Sequence, residues 1–392
     1  ADGLSADDIN KLIKQKKLKY NGEELEELKD FNLMFETNVG PEEGQKSYLR
    51  PETAQVIFSD FKLVADNARL KLPFGIAQIG KGFRNEISPR DFLFRCREFD
   101  MMEIEYFAHP NYIDSCPYLK DVLNYELCFY TTEMQEKDRK PSIMKVKDAI
   151  RRKMISEWQA YWLATEQKWF TGLGAKKDNF RVRQHLKKEK SHYALDTWDL
   201  EYNFPFGWKE LEGIANRTDF DLMRHMETSG KELSIYDEET KEKIVPHVIA
   251  EPSLGVERAF LVFMFDAYSY DKTRDNVVLK LDPKLAPVKV GVFPLVNKLE
   301  KEALAVYDLL KNDFNCSYDK SGSVGKRYAR NDEMGTPYCI TVDFDSSKKN
   351  DCTIRDRDST KQIRVKVNDL RETIRKLIDK EIKFEDAGKV VK

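Results

Sequence analysis

Two neighbouring stretches decide the fold of this chain: GIAQIGKGFRNEISP at residues 75–89 and REFDMMEIEYF at residues 97–107. Successive side chains of a strand point to opposite faces, so the second stretch turns its arginine and two glutamates to one face and three apolar or aromatic side chains to the other. The same alternation adds Arg84 and Glu86 of the first stretch to the charged face. Two strands that carry charges of both signs toward a shared space, joined by a loop, predict the floor of a cleft.

These stretches resemble a known family. FRNE followed by REF is similar to motif 2 of the class II aminoacyl-tRNA synthetases. The sequence from QIG to FRNEISPR resembles glycyl-tRNA synthetases of the dimeric type. RPETAQ at residues 50–55 resembles the family's substrate loop, and EPSLGVER at residues 251–258 resembles motif 3. The resemblance covers about residues 31–377. It implies an α+β fold, with an antiparallel class II sheet flanked by helices and a C-terminal α/β anticodon-binding domain.

The length of the chain predicts more than one domain. A chain of 392 residues is too long for one ordinary core. DPKLAP at residues 282–287 has the composition of a linker, so we expect a catalytic domain at 1–282 and an anticodon-binding domain at 283–392. Helical patterning at about 110–190 predicts a helical insertion in the catalytic domain. Beyond the linker, alternating strand and helix patterns predict an α/β domain.

The C-terminal region is the basic part of a slightly acidic chain. The whole chain has a formal net charge of −2, whereas residues 283–392 hold 23 Lys and Arg against 18 Asp and Glu. This asymmetry is compatible with RNA contact, and a solvated surface explains it equally well. The best candidate for RNA contact is TIRDRDS at residues 353–359 with Lys361 and Arg364, although alternating charges also suit a salt-bridged strand.

The composition favours an intracellular, cytoplasmic protein. The longest apolar run, at residues 259–267, is far too short to span a bilayer, and no signal peptide opens the chain. We therefore expect no membrane partner. The cysteines are widely spaced and include no Cys-x-x-Cys pair, which predicts reduced thiols rather than a zinc site. They are Cys96, Cys116, Cys128, Cys316, Cys339 and Cys352.

The resemblance implies that the protein joins glycine to tRNA with ATP and Mg²⁺. Arg84 of motif 2 and Arg258 of motif 3 are the implied catalytic residues, with Phe99 and Arg258 on either side of the adenine. The residues implied to bind ATP are Arg84, Asn85, Glu86, Arg95, Cys96, Phe99, Glu210, Leu211 and Arg258. An arginine in the first turn of a helix is poorly placed for the helix dipole, so we expect a compensating anion beside Arg258.

The resemblance also implies a glycine pocket. Its residues are Glu52, Glu103, Glu251, Pro252 and Ser253. Spacing alone would make Glu52 a helix N-terminal carboxylate, favoured by the dipole of a helix that begins near Pro51. Only the resemblance assigns Glu52 to the amino acid.

Glu210 is the candidate ligand for Mg²⁺. By period 2, Glu210 and Glu212 share one face of a strand. Such a pair can protect a sheet edge, or it can hold Mg²⁺ beside a nucleotide, because this ion takes hard oxygen ligands. The resemblance places Glu210 and Leu211 against ATP, which favours the second interpretation.

The implied partners are glycine and tRNA(Gly), and the full-length protein is expected to form a homodimer. Motif 1, which the family uses for dimerisation, should precede the region of residue 31, and nothing there resembles it. We therefore expect either a longer polypeptide or a separate piece that needs a partner. Two rival functions stay open: a class II synthetase for another amino acid, such as proline or histidine, and a non-catalytic descendant. The continuous resemblance to glycyl-tRNA synthetases argues against another amino acid, and the retention of Arg84 and Arg258 argues against a non-catalytic descendant.

Overall fold

The computed structural model describes residues 6–25, 32–41, 44–189, 194–238 and 240–391. Two sequence predictions fall outside them: a helix cap at Ser5, indicated by the pattern SADD, and the first two residues of a strand predicted at 30–35. The chain divides into two compact units, Ala1–Gln167 with Phe180–Ala259, and Lys168–Asn179 with Phe260–Lys392. No helix of the described residues has the length and apolar character needed to cross a membrane.

The first unit carries strands β1 to β14. Their bounds are β1 (Lys19–Tyr20), β2 (Glu23–Glu24), β3 (Phe35–Val39), β4 (Gln45–Leu49), β5 (Phe74–Phe83), β6 (Glu98–Ala108), β7 (Glu126–Tyr130), β8 (Ser142–Lys145), β9 (Phe180–Gln184), β10 (Asp196–Phe204), β11 (Gly207–Asn216), β12 (Ile235–Tyr236), β13 (Lys243–Ile244) and β14 (His247–Gly255). The helices up to the unit boundary are α1 (Ala6–Lys16), α2 (Ala54–Ala68), α3 (Thr132–Glu136), α4 (Val146–Arg151), α5 (Glu157–Gly172), α6 (Phe220–Ser229) and α7 (Val256–Ala267). Helices α5 and α7 continue into the second unit.

One large sheet organises the first unit. Its strand order is β5-β6-β14-β11-β10-β9-β7-β8. All neighbours are antiparallel except β7 and β9, which run parallel. The predicted class of fold is confirmed, and β6 lies in the interior of the sheet between β5 and β14.

Strand β6 buries the face that its sequence marks as charged. Met101, Glu103, Glu105 and Phe107 are buried, whereas the side chains that alternate with them along most of the strand are only partly buried. Helix α2 accounts for the difference, because its Phe61 ring lies 4.6 Å from that of Phe107. The alternation is therefore as predicted, but the more deeply buried face is the one that carries the glutamates.

Residues 110–190 are not helical throughout, so the expected helical insertion is corrected to a mixed segment. Strands β7, β8 and β9 extend the central sheet. Each has only four or five residues, too few for alternation to stand out beside the helical pattern. On α5, Trp158 and Trp162 pack against Tyr106 of β6, at ring distances of 5.4 and 5.2 Å.

The second unit contains a smaller mixed sheet. Its strands are β15 (Tyr268–Asp271), β16 (Asn276–Leu279), β17 (Val290–Pro294), β18 (Cys316–Tyr318), β19 (Tyr338–Val342), β20 (Asp351–Asp356), β21 (Gln362–Lys366) and β22 (Lys389–Val391), and its remaining helices are α8 (Glu300–Leu310), α9 (Val324–Met334), α10 (Phe344–Lys349) and α11 (Leu370–Ile378). Six strands pair in the order β18-β17-β19-β20-β21-β22. The first three are parallel and the others antiparallel, which confirms the α/β character predicted for this region.

The core of the second unit follows the predicted periodicity. Helix α8 lies within the amphipathic stretch predicted at 298–311 and buries Ala303, Val306 and Leu310 in the cluster that includes β17 and β19. The segment predicted as a linker at 282–287 lies inside this unit, because Ala286 packs in a small buried cluster with Ala267 and Leu281, which precede the segment.

Two of the arginines proposed for RNA contact, Arg355 and Arg357, are buried, and the third, Arg364, is partly buried. Arg355 donates to both carboxylate oxygens of Asp332, at 2.7 and 2.9 Å, and Arg357 is 2% exposed and donates to backbone carbonyls of Gly335 and Leu281. Arg364 pairs with Asp343 and Asp351, and Lys361 with Glu385. The salt-bridged strand, the other interpretation of this pattern, is the one observed.

Replacing Asp332 by Asn should destabilise the protein strongly. Asp332 is 2% exposed and accepts from both Arg355 and Arg274, so the change leaves buried guanidinium groups without their carboxylate. Breaking a buried ion pair from one side costs about 3–5 kcal/mol. Urea unfolding, followed by circular dichroism, measures the loss.

The matched control for this change is Asp308→Asn, which removes a carboxylate from an exposed pair with Lys311. Its unfolding midpoint should stay close to that of the parent, since exposed pairs contribute little. Equal midpoints for the two variants would contradict the structural role of Asp332.

Candidate active site

A cavity in the first unit brings most of the predicted ATP residues together. It is lined by Arg84, Glu86, Leu93, Phe94, Arg95, Cys96, Phe99, Met101, Glu210, Leu211, Ser253, Gly255, Glu257 and Arg258. Asn85 is the predicted ATP residue that does not line it, because its side-chain amide donates to the carbonyl of Asn32 and its backbone N–H to the carbonyl of Leu33. The walls come from the segment between β5 and β6, from β6, β11 and β14, and from the first turn of α7.

Arg84 follows β5 and is held from two sides. Its guanidinium carbon lies 5.3 Å from the centroid of the Phe99 ring, and its Nε donates to the carbonyl of Pro51 at 3.3 Å. No carboxylate of the described residues forms an ion pair with Arg84. The side chain is thus oriented while its charge stays available to an anion in the cavity.

Arg258 is the third residue of α7 and has the anion that the sequence argument requires. Its Nη1 donates to the backbone carbonyl of Glu210 at 2.9 Å and to the Glu210 carboxylate at 3.2 Å. Its guanidinium carbon lies 4.5 Å from the centroid of Phe94, a ring that also packs against Phe204. The aromatic partner of Arg258 is therefore Phe94, while Phe99 partners Arg84.

A β-bulge places Glu210 and Leu211 together on the wall of the cavity. Leu200 of β10 pairs with Glu212, and the next residue, Glu201, pairs with Glu210, so Leu211 is the extra residue of β11. Glu210 is exposed and lines the cavity, whereas Glu212 is 2% exposed and absent from it. The prediction that Glu210 and Glu212 share a face is wrong, because strict alternation does not survive the bulge.

The electrostatic surroundings of the two glutamates differ accordingly. Burial raises the pKa of Glu212 well above its ordinary value, and Glu166 of α5 raises it further. Glu210 instead faces Arg258. Within the described part of the chain no group of three or more His, Cys, Asp or Glu could hold a metal ion. A lone exposed carboxylate still suits Mg²⁺ that brings its other ligands as water and phosphate, since this ion commonly uses one or two carboxylates.

Glu103 lies beside the cavity with both carboxylate oxygens engaged. Its Oε2 accepts from the backbone N–H of Thr53 at 2.6 Å and from the Thr53 hydroxyl, and its Oε1 accepts from Ser253 Oγ at 2.8 Å. Thr53 is 0% exposed and precedes α2, which begins at Ala54. Charge-assisted bonds of this kind fix the carboxylate in one orientation.

A buried arginine that the sequence argument did not single out links the acidic residues. Arg217 follows β11 and is 2% exposed. Its Nη1 donates to Glu251 at 2.6 Å, its Nε and Nη2 donate to the Asp221 carboxylate at 2.7 and 2.9 Å, and Nη2 lies 3.9 Å from Glu52. Three segments distant in the sequence therefore meet at one guanidinium.

Glu105 is the most enclosed acid of this group. It is 0% exposed, and among the described residues neither of its carboxyl oxygens has a hydrogen-bond partner. Burial raises the pKa of Glu105 well above its ordinary value, nearby Glu251 raises it further, and Arg217 opposes both effects. Burial likewise raises the pKa of Glu251 to about 8, against the opposing effect of Arg217.

The predicted glycine residues are thus brought together unevenly. Glu103 and Ser253 touch, and Glu52 and Glu251 meet through Arg217. Pro252 lies between Glu251 and Ser253 on β14, so alternation turns its side chain to the other face of the sheet. Sequence reasoning did not assign roles to Thr53, Phe94, Arg217, Asp221 and Glu257. The pattern RTDFD at 217–221 offered the signal for two of them, since an arginine four residues before an aspartate can pair with it at the start of a helix.

Comparison with known proteins identifies the family of this chain. Residues 35–267 match the family model of the tRNA synthetase class II core domain (G, H, P, S and T), and residues 289–377 match that of the anticodon binding domain. The glycine–tRNA ligase of Caldanaerobacter subterraneus subsp. tengcongensis is 43% identical over 390 residues, which cover 98% of this chain and 74% of that protein. The glycine–tRNA ligase of Acetivibrio thermocellus is 44% identical over 377 residues, which cover 94% of this chain and 72% of that protein. The glycine–tRNA ligase of Geobacillus kaustophilus is 43% identical over 378 residues, which cover 94% of this chain and 73% of that protein. The chain belongs to the glycine–tRNA ligase family of class II aminoacyl-tRNA synthetases.

Proposed function

We propose that this chain activates glycine with ATP and transfers the glycyl group to tRNA(Gly). In the first step an oxygen of the glycine carboxylate attacks the α-phosphorus of ATP, which forms glycyl-adenylate and breaks the bond to the leaving pyrophosphate. In the second step a hydroxyl of the terminal ribose attacks the glycyl carbonyl, loses its proton and releases AMP. Neither step needs a protein nucleophile, so the protein acts by positioning and by stabilising charge.

The observation that carries this proposal is the separation of charge in one site. The cavity presents Arg84, which has no ion-pair partner among the described residues, together with Arg258 beside an aromatic ring. Next to it, Ser253 and Glu103 lead to a buried group of carboxylates. Phosphates suit the first part and an ammonium group suits the second, and ATP with glycine supplies both.

Arg84 and Arg258 have different roles in the proposal. Arg84 holds the α-phosphate and the glycine carboxylate, and its contact with Phe99 orients it before the substrates arrive. Arg258 stacks on the adenine, and the Glu210 backbone carbonyl fixes its guanidinium plane. A preorganised cation stabilises the charge that develops in the transition state without further reorganisation.

Mg²⁺ is proposed as the metal that accompanies ATP, with Glu210 as its protein ligand. When bound, the ion would neutralise phosphate charge and orient the pyrophosphate leaving group. Glu210 is the exposed carboxylate of the cavity and lies 3.2 Å from Arg258, whereas Glu257 already accepts from the backbone N–H of Asp100. Glu212 is left out of the ligand set because the bulge turns it away.

Selection of glycine must rest on exclusion, because glycine has no side chain to grip. One extra methyl group in an ordinary apolar pocket discriminates by only about 10- to 200-fold. In the proposed pocket, Glu52, Glu103 and Glu251 attract the ammonium group. Ser253, 2.8 Å from Glu103, fills the space into which a β-carbon would project. Alanine would then lose ammonium contacts as well as clash.

The remaining assignments follow from the family. We assign residues 1–282 to catalysis and residues 283–392 to anticodon binding, and the match of residues 289–377 to the anticodon binding domain supports the second assignment. A homodimer and a cytoplasmic location complete the proposal, by analogy with the family.

Replacing Arg84 or Arg258 by Ala should lower glycine-dependent ATP–pyrophosphate exchange about 10²- to 10³-fold, because each change removes one preorganised cation. Arg151→Ala is the control: this arginine is 75% exposed and pairs with Asp148 outside the cavity. All three variants should melt close to the parent.

Exchange with alanine, proline or histidine in place of glycine tests the rival synthetases. A parent that exchanges faster with one of these than with glycine would overturn the substrate assignment. Undiminished exchange in Arg84→Ala or Arg258→Ala would overturn the assignment of the cavity.

Glu103→Gln should raise the KM for glycine about 10- to 100-fold and leave the KM for ATP nearly unchanged, since a hydrogen bond to a charged group is worth about 1.5–3 kcal/mol. The amide keeps the shape of the side chain and removes its charge. Glu98→Gln on the same strand is the matched control, because Glu98 is exposed and lies near Lys81. A glycine KM within about twofold of the parent in Glu103→Gln would show that Glu103 does not bind the ammonium group.

A further inference from the structure

Glu105 and Glu251 stand opposite each other on two neighbouring strands. The antiparallel ladder of β6 and β14 pairs Glu103 with Ser253 and Tyr106 with Ala250 in one register. The intervening residues of this register, Glu105 and Glu251, therefore face each other across the strands, on the side of the sheet that carries Glu103. Like charges directly opposite each other destabilise a sheet, and both side chains are buried, at 0% and 6% exposure.

The surrounding groups provide one cation for this pair and for the other acids near it. Glu103 faces it from β6, Asp221 from α6 and Glu52 from the segment before α2. Arg217 is the cation near these carboxyl groups. The Arg217 guanidinium donates from Nη1 to Glu251 and from Nε and Nη2 to Asp221. Glu105 receives no hydrogen bond from any described residue. Five carboxyl groups thus gather around one guanidinium.

We propose that the Glu105–Glu251 pair holds one proton in the glycine-free protein and releases it to solvent when the ammonium group of glycine enters the pocket. No covalent bond to glycine forms: a carboxyl O–H gives its proton to the buffer, and the arriving ammonium supplies the positive charge that replaces it. Glu105 is a positioning residue in this scheme, because it sets the charge of the pocket while Glu103 and Glu251 contact the substrate. The inference rests on the proposed glycine site.

The physical basis is the cost of two buried carboxylates side by side. Two carboxylates this close resist ionising together unless each has its own cation. Arg217 donates to Glu251 and Asp221 and gives no hydrogen bond to Glu105, so one proton is retained and belongs to the pair rather than to either residue. The direction of the pKa shifts of both acids, upward through burial, agrees with this geometry. An ammonium group beside the pair reverses the balance, because it favours the ionised form.

Titration calorimetry with glycine tests the proposal. The protein is titrated at pH 7 in buffers of different ionisation enthalpy, and the slope of the observed enthalpy gives the protons released. We expect about one proton per glycine, and an affinity that rises about tenfold per pH unit between the pKa values of the free and the bound pair. Glycine keeps its ammonium form at these pH values, so its own titration does not contribute.

Glu105→Gln removes the ionisable group while keeping the shape of the side chain. The amide has the shape of the neutral acid and cannot ionise, so Glu251 can stay ionised beside Arg217. This variant should release less than about 0.2 proton per glycine and bind glycine with little dependence on pH. Glu212→Gln is the control, because Glu212 is also buried and has a raised pKa, but the acid that raises it is Glu166 rather than a member of this group. It should release as many protons as the parent.

Each outcome decides a different question. Glycine binding without proton release in the parent overturns the inference and leaves the proposed function standing. Equal proton release by the parent and Glu105→Gln also overturns it, because the proton then comes from elsewhere. Failure of the parent to bind glycine and to support glycine-dependent exchange overturns the proposed function itself, and the inference with it.

Discussion

The proposed glycine pocket depends on the burial of one guanidinium, that of Arg217. Arg217 binds Asp221 of α6 and Glu251 of β14 and lies near Glu52 before α2. A buried charge loses several kcal/mol of hydration and is tolerated only with well-placed partners. These three segments can therefore fold into the unit only in the arrangement that brings their carboxylates to Arg217. The same contacts that satisfy the arginine set the shape of the proposed glycine pocket.

This constraint explains how one sheet supports two opposite environments. Along β6, Phe99 lies beside the arginine of the cavity, and Glu103 and Glu105 lie farther along the same face. The alternation of a strand keeps these side chains on one side of the sheet while spacing them along it. The backbone thereby holds Arg84 apart from Glu103 and Glu105, so that these two carboxyl groups do not form ion pairs with it. A site that must bind phosphates and an ammonium group together gains from this separation.

The sequence predicts much of the framework, for reasons visible in particular elements. The alternation of β6 and the amphipathic pattern of α8 survive in the structure because each element buries one of its faces more deeply than the other. All predicted ATP residues except Asn85 line one cavity, because the motif places them on the ends of paired strands. The periodicity of side chains along one element does not show which residues from distant parts of the chain will pack against it. Arg217 and Arg355 look like surface charges in the sequence, and only the residues that reach them from distant segments make them internal. The burial of the charged face of β6 was missed for the same reason, since α2 supplies its cover.

The bulge at Leu211 makes the length of β11 part of the site. Leu211 is an extra residue in the pairing of β11 with β10, so the alternation of side chains between the two faces of β11 shifts by one residue at this point. Loss of a single residue here would restore regular alternation and slide the cavity wall by one side chain, although every remaining amino acid kept its identity. An insertion or deletion in this strand would thus disturb the site more than a substitution would. A different amino acid at position 211 is tolerated more readily than a change in the number of residues.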